Sequence, residues 1–266
     1  MIMRLTVVGC TGSGSGPESP ASCYLVQAEH EGRTFSVLLD LGPGAFGALY
    51  RHLDPAEVDA VLFSHLHPDH CLDLCALYVG ANYSVTAPWS PAAVHGPADT
   101  ADRMVRAYHV DAPAGVTPAE PARGIADFFD YHAWRPSQSI GPFDVAVARV
   151  AHPVEAYAIR LTERAGNRPS LVFSGDTGPT EALTELARGA DLLLIEASFL
   201  DVPGNPAGLH LSGREAAETA TAAGAGAVVL THIPPWHDPD QVLAEARPHF
   251  AGPIELARSG ARWTLD

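Results

Sequence analysis

The sequence contains no lysine. Its 16 basic residues are all arginine, they face 31 acidic residues, and the formal net charge is −15. Nucleic-acid affinity rests on neutralising many phosphates with Lys and Arg, so an extended nucleic-acid partner is not expected. The lack of Lys beside abundant Arg, Ala, Gly and Pro reads as a GC-rich coding bias rather than as function. It also deprives Thr11-Gly12-Ser13-Gly14-Ser15-Gly16 of the Gly-Lys-Ser/Thr end that a phosphate-binding loop needs. That stretch reads as a flexible loop near the rim of a site. Cysteine is scarce: four residues, at 10, 23, 71 and 75, with no Cys-x-x-Cys spacing. A disulfide framework is therefore not expected, and a cytoplasmic location is. Cys71 and Cys75 read as small buried thiols on a helix. No apolar run approaches the roughly 20 residues of a membrane span, and no membrane partner is expected. The start, Met1 to Leu5, runs into a strand without an evident signal peptide.

What is present is concentrated in Ser64-His65-Leu66-His67-Pro68-Asp69-His70, directly after the apolar run Ala60 to Phe63. Imidazole and carboxylate together favour zinc or a similar transition metal. Packed this closely, such groups are costly to desolvate unless something cationic sits among them. In an extended segment His65 and His67 point to the same side. Pro68 can then open a helix over 68–79, with Asp69 and His70 in its first turn. That arrangement makes two groups of ligands, hence two metals side by side. A histidine-rich surface loop is the bland alternative, and the density of the run argues against it.

Two metals need further ligands, and three strand tips offer them. His152 ends the alternating run 148–152, Asp176 follows the apolar run 171–173 between Gly175 and Gly178, and His232 ends the apolar run 227–231. Open sheets place functional groups at such tips.

The set His65-x-His67-x-Asp69-His70, His152, Asp176 and His232 resembles the metallo-β-lactamase superfamily, over nearly the whole chain. The strand Arg4 to Val8 and the turn Asp40 to Gly44 also resemble that family's opening. The resemblance implies an α/β four-layer αββα sandwich, formed as one domain over 1–266. It implies two divalent ions, zinc first, with manganese or iron as alternatives. His65, His67 and His152 would hold one ion and Asp69, His70 and His232 the other. Asp176 would bridge them, with a water or hydroxide. Asp40 resembles the carboxylate that orients a ligand His; its plain reading is a strand-terminal turn. Metals lower the pKa of a bound water to roughly 7, so the implied reaction class is metal-assisted hydrolysis. Asp69 and Asp176 are further candidates for positioning or deprotonating that water.

Glu196, after the run 192–195, and Leu209-His210-Leu211-Ser212 resemble the phosphodiesterase branch that includes tRNase Z. By that resemblance His210 is the general acid for the leaving alkoxide and Glu196 holds it; a carboxylate raises a His pKa and favours the acid form. The alternative is a helix-flanking His, with Ser212 as the N-cap of a helix to Ala223. The tRNase Z family commonly carries a long basic arm between the ligands equivalent to His152 and Asp176. Here only 23 residues separate them. The segments 16–22, 129–134 and 209–213 resemble an actinobacterial group of the superfamily associated with cyclic-nucleotide phosphodiesterase activity. The His-x-Ser-His-Leu-Asp-His signature of conventional class II cyclic-nucleotide phosphodiesterases is absent. The expected substrate is a small phosphodiester such as a 3′,5′-cyclic nucleotide. Alternatives are an RNA 3′-end endonuclease, a thioester or carbonyl-ester hydrolase, and a non-catalytic metal-binding nucleotide sensor.

The stretch 84–142 is the least readable. Its aromatics Tyr108, Phe128, Phe129, Tyr131 and Trp134 allow a lid, a base-stacking wall, a homodimer contact or a satellite core. His109 and His132 read as ordinary polar contacts. Trp236 reads either as a base-stacking residue or as rim packing. The remaining periodicity predicts strands near 5–8, 22–27, 35–40, 60–64, 143–149, 157–161, 170–174, 192–196 and 227–231. Further helices are predicted near 180–188, 212–223 and 238–247.

Overall fold

Alternation of side chains within the strands builds the whole molecule. In the strand Cys23–His30, Cys23 and Leu25 face one way while Tyr24, Val26 and Ala28 face the other. In Leu192–Glu196, Leu193 and Ile195 likewise oppose Leu192 and Leu194. Strands apolar on both faces must be covered on both faces. The computed structural model, which describes residues 2–109 and 124–266, meets that demand with two seven-stranded mixed sheets. The first sheet runs Arg262–Leu265, Met3–Gly9, Cys23–His30, Arg33–Leu39, Ala60–Leu62, Ala93–Gly96 and Asp130–Ala133 from edge to edge. The second runs Ile254–Leu256, Val228–Thr231, Leu192–Glu196, Ser170–Phe173, Tyr157–Glu163, Phe143–Arg149 and Ser137–Ile140.

Three apolar layers hold these sheets. One lies between them, around Leu5, Tyr24, Leu39, Phe143, Phe173 and Leu194. One lies between the first sheet and Leu74–Tyr83 with Ala45–Leu49. The third lies between the second sheet and Gly213–Ala223 with Pro239–Ala246. The result is a four-layer αββα sandwich. Gly213–Ala223 opens with the Ser212–Glu215 capping box and closes on Gly224 in the left-handed region, as its ends require. Among the described residues no helix is long and apolar enough to cross a membrane.

Two expectations need correction. The helix read as 68–79 is broken into Pro68–Cys71 and Leu74–Tyr83. The Asp73 N–H donates to Leu41 O rather than up its own helix, and the Leu41 N–H takes His70 O. The turn after Arg33–Leu39 thus crosses the helix and takes over its backbone bonds. Gly42 is needed there, since a Cβ would lie 1.9 Å from Asp69 O. The Gly-rich loop is also more than a flexible rim. Gly12 donates to Ile233 O, and a Cβ on it would lie 2.1 Å from His232 O.

The described part of 84–142 extends both sheets, through Ala93–Gly96, Asp130–Ala133 and Ser137–Ile140. Phe128 and Phe129 join the main apolar layer that holds Leu74, Leu77 and Tyr78, rather than a separate satellite core. His132 pairs with Asp130 at 2.9 Å, and Tyr131 donates to Ile125 O. Residues 110–123 of that stretch lie outside the described residues.

Candidate metal centre

The seven ligand candidates come together at one end of the sandwich. His65 and His67 leave the strand Ala60–Leu62, His67 caps Pro68–Cys71, and Asp69 and His70 lie in that turn. His152, Asp176 and His232 arrive from the other sheet, past the ends of Phe143–Arg149, Ser170–Phe173 and Val228–Thr231. Donor atoms fall into two groups that share Asp176: His65, His67, His152, Asp176, and Asp69, His70, His232, Asp176. Within each group all donor atoms lie within 4.8 Å of one another. Asp176 turns Oδ2 toward His65 at 3.8 Å, and Oδ1 toward His70 at 3.3 Å and His232 at 3.5 Å.

The far nitrogens of four rings decide what the near nitrogens can be. Ser64 Oγ donates to Asp40 Oδ2 at 2.8 Å, so it can only accept from His65 Nδ1–H at 3.1 Å. Ser198 Oγ donates to His232 O, so it accepts from His232 Nδ1–H, each at 2.8 Å. His70 Nδ1–H donates to Asp40 Oδ2 at 2.6 Å and His152 Nδ1–H to Leu209 O at 3.0 Å. Each neutral ring then presents a bare Nε2 lone pair to the centre. Yet Nε2 of His70 and of His232 lie 3.0 Å apart, and His67 Nδ1 lies 3.1 Å from Nε2 of both His65 and His152. Lone pairs so placed repel unless a proton on one ring or a metal cation lies between them. A tetrahedral metal with bonds of about 2.05 Å sets its nitrogens about 3.3 Å apart, close to these separations. Asp176 Oδ1 is buried with no hydrogen-bond partner among the described residues. The donor set fits divalent metal ions.

Electrostatics agrees. Burial raises the Asp176 carboxyl, but His232, His70 and His65 outweigh it and hold it well below the usual range. Asp69 is held low in the same way, chiefly by His232 and His70 against its burial. Burial lowers His70, but Asp176 and Asp40 push it well above the ordinary imidazole value. The second group thus asks for positive charge at the place where the lone pairs meet.

Glu196 and His210 stand beside this centre. His210 Nδ1 lies 2.9 Å from Glu196 Oε1, and the His210 ring is 5.6 Å from His152 and 5.8 Å from His232. Glu196 is fully buried and accepts the Thr177, Ser198 and Leu211 N–H groups. Burial lowers the His210 imidazole, but Glu196 outweighs it and the net shift is upward. Phe199 meets the ring edge-on at 5.1 Å. Trp236, on the loop after His232, is 68% exposed. Asp40 and His232 adopt left-handed backbone, with φ of 58° and 57°. Such strain in non-glycine residues persists only where surrounding contacts impose it.

Sequence reading missed Ser64, Ser198 and the Leu209 carbonyl. Ser64 adjoins the ligand run and could have been suspected. A carbonyl carries no residue signature, and Ser198 reaches His232 only through the fold.

The family described as "Beta-lactamase superfamily domain" matches residues 36–233. This chain belongs to the metallo-β-lactamase superfamily. Within the superfamily it is 44% identical to the uncharacterized protein Rv1339 of Mycobacterium tuberculosis, over 95% of this chain and 88% of that one. The crystal structure of the metallo-β-lactamase fold protein YhfI of Bacillus subtilis superposes with a TM-score of 0.81 and 27% identity, covering 99% of both chains. A protein of Myxococcus xanthus named ribonuclease Z is 28% identical over 97% of this chain and 96% of its own length. The donor clusters lie at the strand ends, where the superfamily resemblance of the sequence places them.

Proposed function

We propose that the protein is a dinuclear metal-dependent phosphodiesterase acting on small substrates, with 3′,5′-cyclic nucleotides as the leading class. The observation that carries this reading is the His210–Glu196 pair beside the two donor groups. Zinc, with manganese or iron as alternatives, would supply a water acidic enough to ionise near neutral pH and positive charge for the phosphoryl oxygens. The rest belongs to the chain. His67 and His152 are half-buried, whereas His65, His70, Asp176 and His232 are enclosed, so substrate enters over the first pair. An ionised Glu196 accepts from His210 Nδ1–H and favours the imidazolium. Nε2 then carries the proton a leaving alkoxide needs. A lactam or thioester has less need of such an acid.

Small substrates are supported by what the molecule does not offer a polymer. The strands Tyr157–Glu163 and Ser170–Phe173 are joined by only residues 164–169, which leaves no room for a gripping arm. The net charge of −15 repels RNA along its length. The second reading, an RNA 3′-end endonuclease, draws on the likeness to a ribonuclease Z over nearly the full chain.

The test is a leaving-group series on metal-loaded protein. His210→Ala is expected to slow cleavage of alkyl phosphodiesters by about 10²- to 10⁴-fold and to spare bis(p-nitrophenyl) phosphate, whose leaving group needs no proton. Equal loss on both, at unchanged metal content, would refute the acid role. A 3′-extended tRNA cleaved faster than any cyclic nucleotide would favour the second reading.

A further inference from the structure

At the opposite end of the first sheet lies a hollow of about 850 Å³ that has no part in the metal chemistry. Its floor is the outer face of four neighbouring strands, the antiparallel pair Met3–Gly9 and Arg262–Leu265 among them. Arg4 pairs with Thr264 and Thr6 with Arg262, and Leu5 between them points inward to the core. Period-two alternation therefore puts Arg4, Thr6, Arg262 and Thr264 on one face. The helices that cover Leu25, Leu38 and Val61 leave this part of the sheet open, and the turn carrying His52 walls it. The hollow is remote from the metal centre. Arg4 lies near the start of the strand Met3–Gly9, Cys10 just past its far end accepts the His232 N–H, and about six extended residues span about 20 Å.

Three arginines line the hollow. Arg33 also lines the hollow, but Asp59 takes both arms of its fork at 3.0 and 2.6 Å. Arg4 and Arg262 make no ion pair or hydrogen bond among the described residues, although acidic residues outnumber arginines 31 to 16. Glu57, the remaining acid on the rim, is exposed and pairs with neither. Diagonal neighbours on adjacent strands sit about 7–8 Å apart, and two like charges so placed cost stability unless an anion lies between them. Half-buried His52 lines the hollow beside these arginines, and its ring Nδ1 has no hydrogen-bond partner among the described residues.

We propose that this hollow is a second ligand site that binds the phosphate dianion of a small molecule between Arg4 and Arg262. Two guanidiniums balance a dianion, and their planar forks match phosphate oxygens. The hydroxyls of Thr6 and Thr264 stand between them as further donors, and His52 closes the wall.

The test uses metal-loaded protein, inorganic phosphate as the probe, and the ring signal of His52 by NMR. Phosphate is expected to shift that signal in a saturable way. The double variant Arg4→Gln/Arg262→Gln should weaken this binding about tenfold or more, while metal content and bis(p-nitrophenyl) phosphate cleavage stay unchanged. Arg51→Gln, an exposed neighbour outside the hollow, should leave it within about twofold. Three results would overturn the proposal. The His52 signal does not respond to phosphate; the double variant binds as before; or Arg51→Gln loses as much as the double variant. A change of oligomeric mass in the double variant without any phosphate response would overturn it too, and would make the hollow a contact between copies.

Discussion

The two donor groups, three His in one and two His with Asp69 in the other, share Asp176 but are held differently. Behind His70 stands a fully buried carboxylate, Asp40, at 2.6 Å, itself fixed by the Ser64 N–H at 2.7 Å. Behind His152 stands only a backbone carbonyl, that of Leu209, and His67 and His152 remain half-buried at the opening. A carboxylate behind an imidazole fixes the ring and raises its basicity, whereas a carbonyl mainly orients it. One side of the centre is thus an enclosed, tightly backed anchor. The other is the more open side at His67 and His152, although its His65 is fully buried. Stepwise chelation is accordingly expected to empty the His65–His67–His152 group first.

The sharpest way to break this asymmetry is to remove what both sides share. Asp176→Ala should drop bound metal from about two per chain to below one, and turnover by at least about 10³-fold, as read by metal analysis and kinetics. Retention of both metals would show that the carboxylate is not shared. Asp40→Asn acts first on the enclosed side, through His70, and only by way of Ser64 on His65. It should weaken the enclosed site about 10- to 100-fold in a chelator competition and the open site by less. Equal weakening of both would erase the distinction drawn here. Gly12→Ala strikes the enclosed side from the backbone, since its Cβ would meet His232 O at 2.1 Å. A loss of about 1–3 kcal/mol is expected, visible as a lower Tm and earlier metal release. Trp236→Ala, at an exposed position, should change stability by no more than about 0.5 kcal/mol. Any effect there should appear in KM rather than in the melting curve.

The same contrast explains what the sequence could say. Ligands close in the chain, 65 to 70, were legible as a run, and strand-tip residues such as Asp176 and His232 were legible because their apolar strands precede them. The long-range backing was not. Asp40 could be named only by its family likeness, because its 2.6 Å contact with His70 spans 30 positions. The break at Leu72–Asp73 was hidden for the same reason: helical periodicity continues through it, and only the crossing turn at Leu41 diverts the N–H. The helices 213–223 and 239–246 were read nearly to their ends, since Ser212 and Asp238 cap them with side chains. The short strands Ala93–Gly96 and Asp130–Ala133 escaped, being four residues each and mostly polar or small. Thr100–Tyr108 escaped too. Its N-cap, Asp99, makes no capping bond, and its buried residues are only Thr100 and Met104.

The central claim is most directly tested by hydrolysis of 3′,5′-cyclic AMP by purified, zinc- or manganese-loaded protein, with Asp69→Ala as the blank. Asp69 lies 3.2 Å from His232 in the enclosed group, so its loss should disable the centre without disturbing the fold around His65 and His152. The account expects turnover that disappears in the variant. Absence of turnover on cyclic nucleotides and on every other small phosphodiester, with both metals bound, would contradict it.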